Sequence, residues 1–166
     1  MFAFTSANAY NWLFNVQFCE GTTVVNRADW QKIAEEKLLA ADALLLASPS
    51  QSASAYYLAG YAIECGLKSC ILARIAGFPE LIFEDKMYSK NCWTHNVEDL
   101  VELAGLKPDL ASAIVAAPAL ATNWKTVKEW SENARYQMKS HPEAQALYRA
   151  INDPVSGVMQ WIRARW

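Results

Sequence analysis

The chain has 166 residues, 53% of them hydrophobic, with seven Trp and a formal net charge of −2. That length and apolar content describe one domain with a hydrophobic core and exclude disorder. The slight negative charge excludes a broad electrostatic grip on nucleic acid, so any RNA contact must come from a local positive groove or from a partner.

Residues 1–26 hold one acidic group, Glu20, and no basic residue, yet carry Phe2, Phe4, Tyr10, Trp12, Phe14 and Phe18. A secretory signal needs a positive start and a clean aliphatic run, and neither is present. Asn8, Asn11, Asn15 and Gln17 break any membrane span. The reading is a strand-like or irregular arm over residues 1–27, packing on the domain or on a second copy. Residues 28–166 then form one helical domain.

Asp29 is placed to cap a helix with Trp30, Ile33, Ala34, Leu38, Ala41 and Leu45 at helical spacing. Ser48-Pro49-Ser50 breaks it. From Gln51 to Ala76 runs a long, almost uniformly apolar segment, with Gly77 placed to end it. Its Glu64, Lys68 and Arg74 make it a buried central helix and not a membrane span. Residues 78–93 read as a mixed loop. Thr94 caps a third helix carrying Val97, Leu100, Val101 and Leu103 or Ala104 inward, closed by Gly105. Residues 107–122 are Ala-rich and helical, interrupted by Pro118.

Asn123 caps a short helix with Trp124, Val127, Trp130 and Ala134 in one stripe, ending at Arg135. Ser140 and Glu143 make a capping box, and Pro142 is tolerated in a first turn. The last helix carries Leu147, Ile151, Val158 and Ile162 inward and kinks near Pro154. No alternation long enough for a sheet appears after the arm. The fold class predicted is all-α, a bundle of four to six helices.

Four cysteines, Cys19, Cys65, Cys70 and Cys92, form no CxxC pair, and two histidines are too few for a zinc site beside them. Free thiols in a reducing cytoplasm are the simplest reading.

Tyr57, Tyr61, Glu64 and Lys68 stand 4, 3 and 4 residues apart, on one helix face. Glu64 and Lys68 pair in the favourable i, i+4 order. Two uses fit them. One is a partly buried ion pair that fixes register; the other is a polar stripe lining a cleft, with the tyrosines offering stacking and hydroxyl groups. Gly60 allows close helix packing. His95 reads as a neutral imidazole bonding its neighbours at a helix start, or as a ligand-facing histidine.

Arg135 and His141 bracket a short polar stretch, Tyr136 included. Arg135 at a helix end and His141 in a first turn are ordinary placements. Their chemistry is nonetheless that of phosphodiester cleavage. Arginine offers a permanent charge in a fork matching phosphate oxygens, and histidine moves protons near neutral pH. His141 would take the 2′-hydroxyl proton or protonate the leaving oxygen, and Arg135 would stabilise the phosphorane. That reaction needs no metal or other cofactor.

Three runs carry a family resemblance: Ala55-Tyr-Tyr-Leu-Ala-Gly-Tyr-Ala-Ile-Glu-Cys-Gly-Leu-Lys-Ser-Cys70, then His95-Asn96, then Trp130-Ser-Glu-Asn-Ala-Arg-Tyr136. Over about residues 28–166 the chain resembles a HEPN domain (higher eukaryotes and prokaryotes nucleotide-binding). The resemblance implies an α-helical bundle that dimerises. In ribonuclease members Arg-x4–6-His from two chains meets at the dimer interface, and Arg135 and His141 fit that motif. Glu64 and Lys68 resemble a Glu-x3-Lys element of part of the family. The implied activity is a metal-independent endoribonuclease in a toxin–antitoxin or phage-defence setting. The alternative is a non-catalytic module binding a nucleotide or partner. A cognate antitoxin or nucleotidyltransferase is the implied partner. Toxins controlled by the latter commonly carry an adenylylated Tyr two residues after the motif His, where this chain has Glu143.

Overall fold

The computed structural model describes residues 26–166, so all but the last two residues of the predicted arm, and Cys19 with them, lie outside the described residues. Among the described residues every regular element is helical. Five helices have ten residues or more: α1 (Arg27–Leu46), α2 (Ser52–Gly77), α6 (Lys107–Ala116), α7 (Pro118–Val127) and α8 (His141–Asn152). Shorter ones lie between and after them: α3 (Leu81–Glu84), α4 (Tyr88–Asn91), α5 (Val97–Leu103) and α9 (Val158–Arg163), with a 3-10 turn at Glu132–Tyr136. No helix among the described residues is long and apolar enough to cross a membrane.

Helix α2 is the axis of the bundle, as its all-round apolar sequence requires. Every residue from Ala62 to Ile71 is buried, Glu64 and Lys68 included. The helix is ringed by α1, α5, α8, α9 and the 3-10 turn, which all pack on it. The five residues between α1 and α2 make the pair an αα-hairpin. Leu147, Ile151, Val158 and Ile162 all face the core, as their spacing predicts.

Close approach to α2 depends on Gly60. A Cβ there would lie 2.3 Å from the indole of Trp130, so only glycine lets that ring rest on the helix backbone. Trp130 is buried and its Nε1 finds no hydrogen-bond partner among the described residues. Apolar contact, and not a hydrogen bond, therefore holds the ring in place.

Helix boundaries differ from the sequence reading in instructive ways. Asn26 caps α1, and Asp29 is the N3 member of the same capping box. Asn96 caps α5, accepting from the backbone N–H of Glu98 and Asp99, while Thr94 Oγ1 accepts from the Asn96 N–H. Pro118 opens α7 and does not interrupt a longer helix, which puts Asn123 in the helix interior; its side chain donates to the Ser156 carbonyl at 2.9 Å. Residues 78–93 contain the two helical turns α3 and α4 instead of only loop. The last helix is two: Asp153 Oδ1 accepts from the backbone of Val155 and Ser156, turning the chain between α8 and α9.

The C-terminus of α5 is closed from outside. Arg74 donates to the carbonyls of Glu102 and Leu103, and Tyr88 Oη donates to Leu103. A cation and a hydroxyl there satisfy acceptors the helix itself leaves open. Gly105 then reverses the chain at φ +72°. Arg163 makes two 2.7 Å bonds to Glu35, fastening α9 to α1.

Candidate functional site

Two groups of side chains bear on function, one on a face of α2 and the other on the 3-10 turn and the start of α8. The inner group is built on Glu64. Its carboxylate is 1% exposed and accepts from Lys68 Nζ at 2.7 Å, one helical turn away. From the start of α5, His95 brings Nδ1 to 2.9 and 3.0 Å from the two Glu64 oxygens. So the histidine bonds across the fold and not to its sequence neighbours. The buried charge on Glu64 is thus met by a cation and a ring N–H, which is what burial demands of it.

Facing a carboxylate, Nδ1 of the half-exposed His95 carries the hydrogen, which leaves Nε2 as the acceptor in the neutral form. Lys68 Nζ also lies 5.2 Å from the ring centroid of Trp30 and 6.0 Å from that of Trp93. Neither tryptophan was singled out by the sequence. Trp30 reads as one more inward residue of α1, and Trp93 sits in a stretch with no periodicity.

Toward the N-terminus of α2 the aromatic rings take over. Tyr57 and Tyr61 stack with centroids 5.9 Å apart and planes 9° from parallel, and Tyr57 leans on Trp130 at 6.3 Å. Burial, with Cys65 and Glu64 adding to it, pushes the Tyr61 hydroxyl up to about 12, so it stays a neutral donor. The thiol of Cys65 is pushed up to about 12 and that of Cys70 to about 11, each mainly by burial. Such thiols are inert structural residues. Cys92 is free as well.

The outer group follows. Arg135 belongs to the 3-10 turn and not to the end of an α-helix. With Tyr57 it lines a cavity of about 290 Å³ at the start of α2. Its guanidinium lies 4.9 Å from the ring of Tyr136, which is 79% exposed. A guanidinium over a ring face can keep its in-plane N–H groups for a ligand. His141 is the first residue of α8 and is exposed. Below it Ser140 and Glu143 form the predicted capping box, with Ser140 N–H donating to Glu143 at 2.8 Å. Those bonds to Ser140 hold the Glu143 carboxyl below its ordinary range.

The structure therefore joins Glu64, Lys68 and His95 into one network and Tyr57 with Tyr61 into one stack. It places Arg135 beside Tyr57 and against Tyr136. No hydrogen bond or ion pair joins Arg135 to His141, and neither side chain has one with any other described residue. Among the described residues no group of three or more His, Cys, Asp or Glu side chains is arranged to hold a metal ion. Comparison of the chain with protein-family models, with curated proteins and with solved structures returns no match.

Proposed function

We propose that this chain is a HEPN-type, metal-independent endoribonuclease of a toxin or phage-defence system, acting as a homodimer with Arg135 and His141 as its reacting groups. One observation carries the reading. Both side chains stand exposed, with no hydrogen bond or ion pair to another described residue, on a short segment fixed at either end, by buried Ala134 and by the capping box of α8. The segment thus holds a permanent cation and a proton carrier with five residues between them, both open to a ligand.

Each would have a defined task. His141 takes the 2′-hydroxyl proton of one ribose, so that the oxygen attacks the adjacent phosphorus. Arg135, braced by Tyr136, sets two N–H groups against the phosphorane oxygens as charge builds. The 5′-oxygen then leaves with a proton, which calls for an acid as well as a base. A second copy supplies that acid as its own His141. The pair of chains would make one cleft, with Tyr57 and Tyr61 offering ring faces beside it.

The alternative, a non-catalytic HEPN module binding a nucleotide or partner, draws on the other group of residues. Glu64, Lys68 and His95 form a polar site that makes no use of His141.

Incubation of purified protein with single-stranded RNA in chelator tests the proposal. Cleavage is expected, and Arg135→Lys should weaken it severely, because an ammonium cannot reproduce the paired contacts of the fork. Absence of cleavage on every RNA tried would favour the binding module. Sedimentation should show dimer at tens of micromolar, about where standard interfaces persist.

A further inference from the structure

Beside Lys68, away from Arg135 and His141, lies a cavity of about 240 Å³. Its walls include the indoles of Trp30 and Trp93, with Ile71, Ile75 and Tyr88 among the apolar residues that close it. The Lys68 side chain is only 9% exposed, and its single hydrogen bond among the described residues runs to Glu64. An ammonium has three donors, so two N–H groups remain without an acceptor among the described residues. The indole faces at 5.2 and 6.0 Å soften the charge at the outer reach of cation–π contact, but they accept no conventional hydrogen bond.

Three features define what fits. Glu64 cancels the charge of Lys68, so nothing there draws an anion. Two free N–H groups in an apolar wall call for an acceptor oxygen. The indoles call for a flat ring, and the volume, below the roughly 300–1,000 Å³ of drug-sized sites, admits one ring system. We propose that this cavity receives a single uncharged heteroaromatic ring bearing a carbonyl oxygen, stacked on Trp93 and Trp30, with Lys68 donating to the carbonyl.

Uracil and guanine have that chemistry; adenine has no carbonyl. The ring is either a free small molecule or an unstacked base of single-stranded RNA, for aromatic platforms serve both. Lys68 lies eleven residues beyond Tyr57, about 16 Å along α2, so a base held here would sit some nucleotides from a phosphate at Arg135. The site uses neither Arg135 nor His141, and it stands whether or not the protein cleaves RNA.

The test is calorimetric titration of the full chain carrying His141→Ala, in chelator, with uridine, guanosine, adenosine and a short uridine oligomer. Uridine or guanosine should bind, with adenosine about tenfold weaker for want of the bond from Lys68. Trp93 is 73% exposed, so Trp93→Ala should fold normally yet lose about tenfold in affinity with one stacking face. An oligomer binding much more tightly than uridine, with the same sensitivity to Trp93, identifies the ring as an RNA base. Equal affinities identify a free small molecule. No binding of either nucleoside at millimolar concentration, adenosine binding equally well, or binding indifferent to Trp93→Ala would each overturn the proposal. Lys68 would then be a structural ion only.

Discussion

The inner group on α2 and the outer group on the 3-10 turn and α8 treat their charges in opposite ways. At the inner end, Glu64 is wholly buried and both its oxygens are used, by Lys68 and His95. At the outer end, Arg135 and His141 are exposed and hold no hydrogen bond or ion pair among the described residues. A charge that is bonded and buried contributes to holding the fold together and is costly to remove. A charge left to solvent costs the fold little to lose, so it is open to bind something outside the chain. Substitutions at the inner end should therefore register in stability, and those at the outer end in activity.

The contrast is sharpest at Glu64. Glu64→Gln leaves the buried Lys68 cation without a counter-charge, which should cost about 3 kcal/mol, the low end for breaking a buried pair because the amide oxygen still accepts. Chemical denaturation would measure it. A loss under 1 kcal/mol would mean that water reaches the pair and the two ends differ less than their burial implies.

Gly60→Ala probes the support between the ends. Its methyl group would meet the buried Trp130 indole at 2.3 Å, so the ring must shift within the core. Overpacking of this kind should cost about 1–3 kcal/mol, and near-ultraviolet circular dichroism should report the displaced tryptophan.

Ser140→Ala should give the smallest effect, a fall of a few degrees in melting temperature from the loss of the α8 cap. It also carries a pH signature. Bonds to Ser140 lower the Glu143 pKa in the folded chain. The stability this adds is present above the ordinary carboxylate range and is lost as the pH falls through the lowered folded value. In the variant that acid-side loss should shrink. An unchanged acid limb would show that Glu143 draws its shift from elsewhere.

Much of the fold could be read from local pattern. An all-round apolar run has one stable home, the middle of a bundle, and α2 occupies it. The Ser140–Glu143 box announced α8, since both members lie within one turn. Misplaced starts came from rivalry among good cappers. Asp29 and Thr94 have the right chemistry, but Asn26 and Asn96 hold the cap position, and their neighbours take supporting bonds. Pro118 reads as a break or a beginning from sequence alone; packing decided for a beginning. The candidate site was legible only as separate pieces. Glu64 and Lys68 pair within one turn and show in the spacing. His95 meets Glu64 across 31 residues, and Trp30 meets Lys68 between helices, contacts that no local signal encodes.

The claim that the outer end carries the chemistry is tested most directly at His141. RNA cleavage in chelator and thermal unfolding should be followed on the same preparations of the unaltered chain and of His141→Ala. The account predicts a loss of activity on the order of 10²–10⁴-fold, the usual contribution of one acid–base group, with the melting temperature unmoved. Cleavage undiminished in the variant would contradict it.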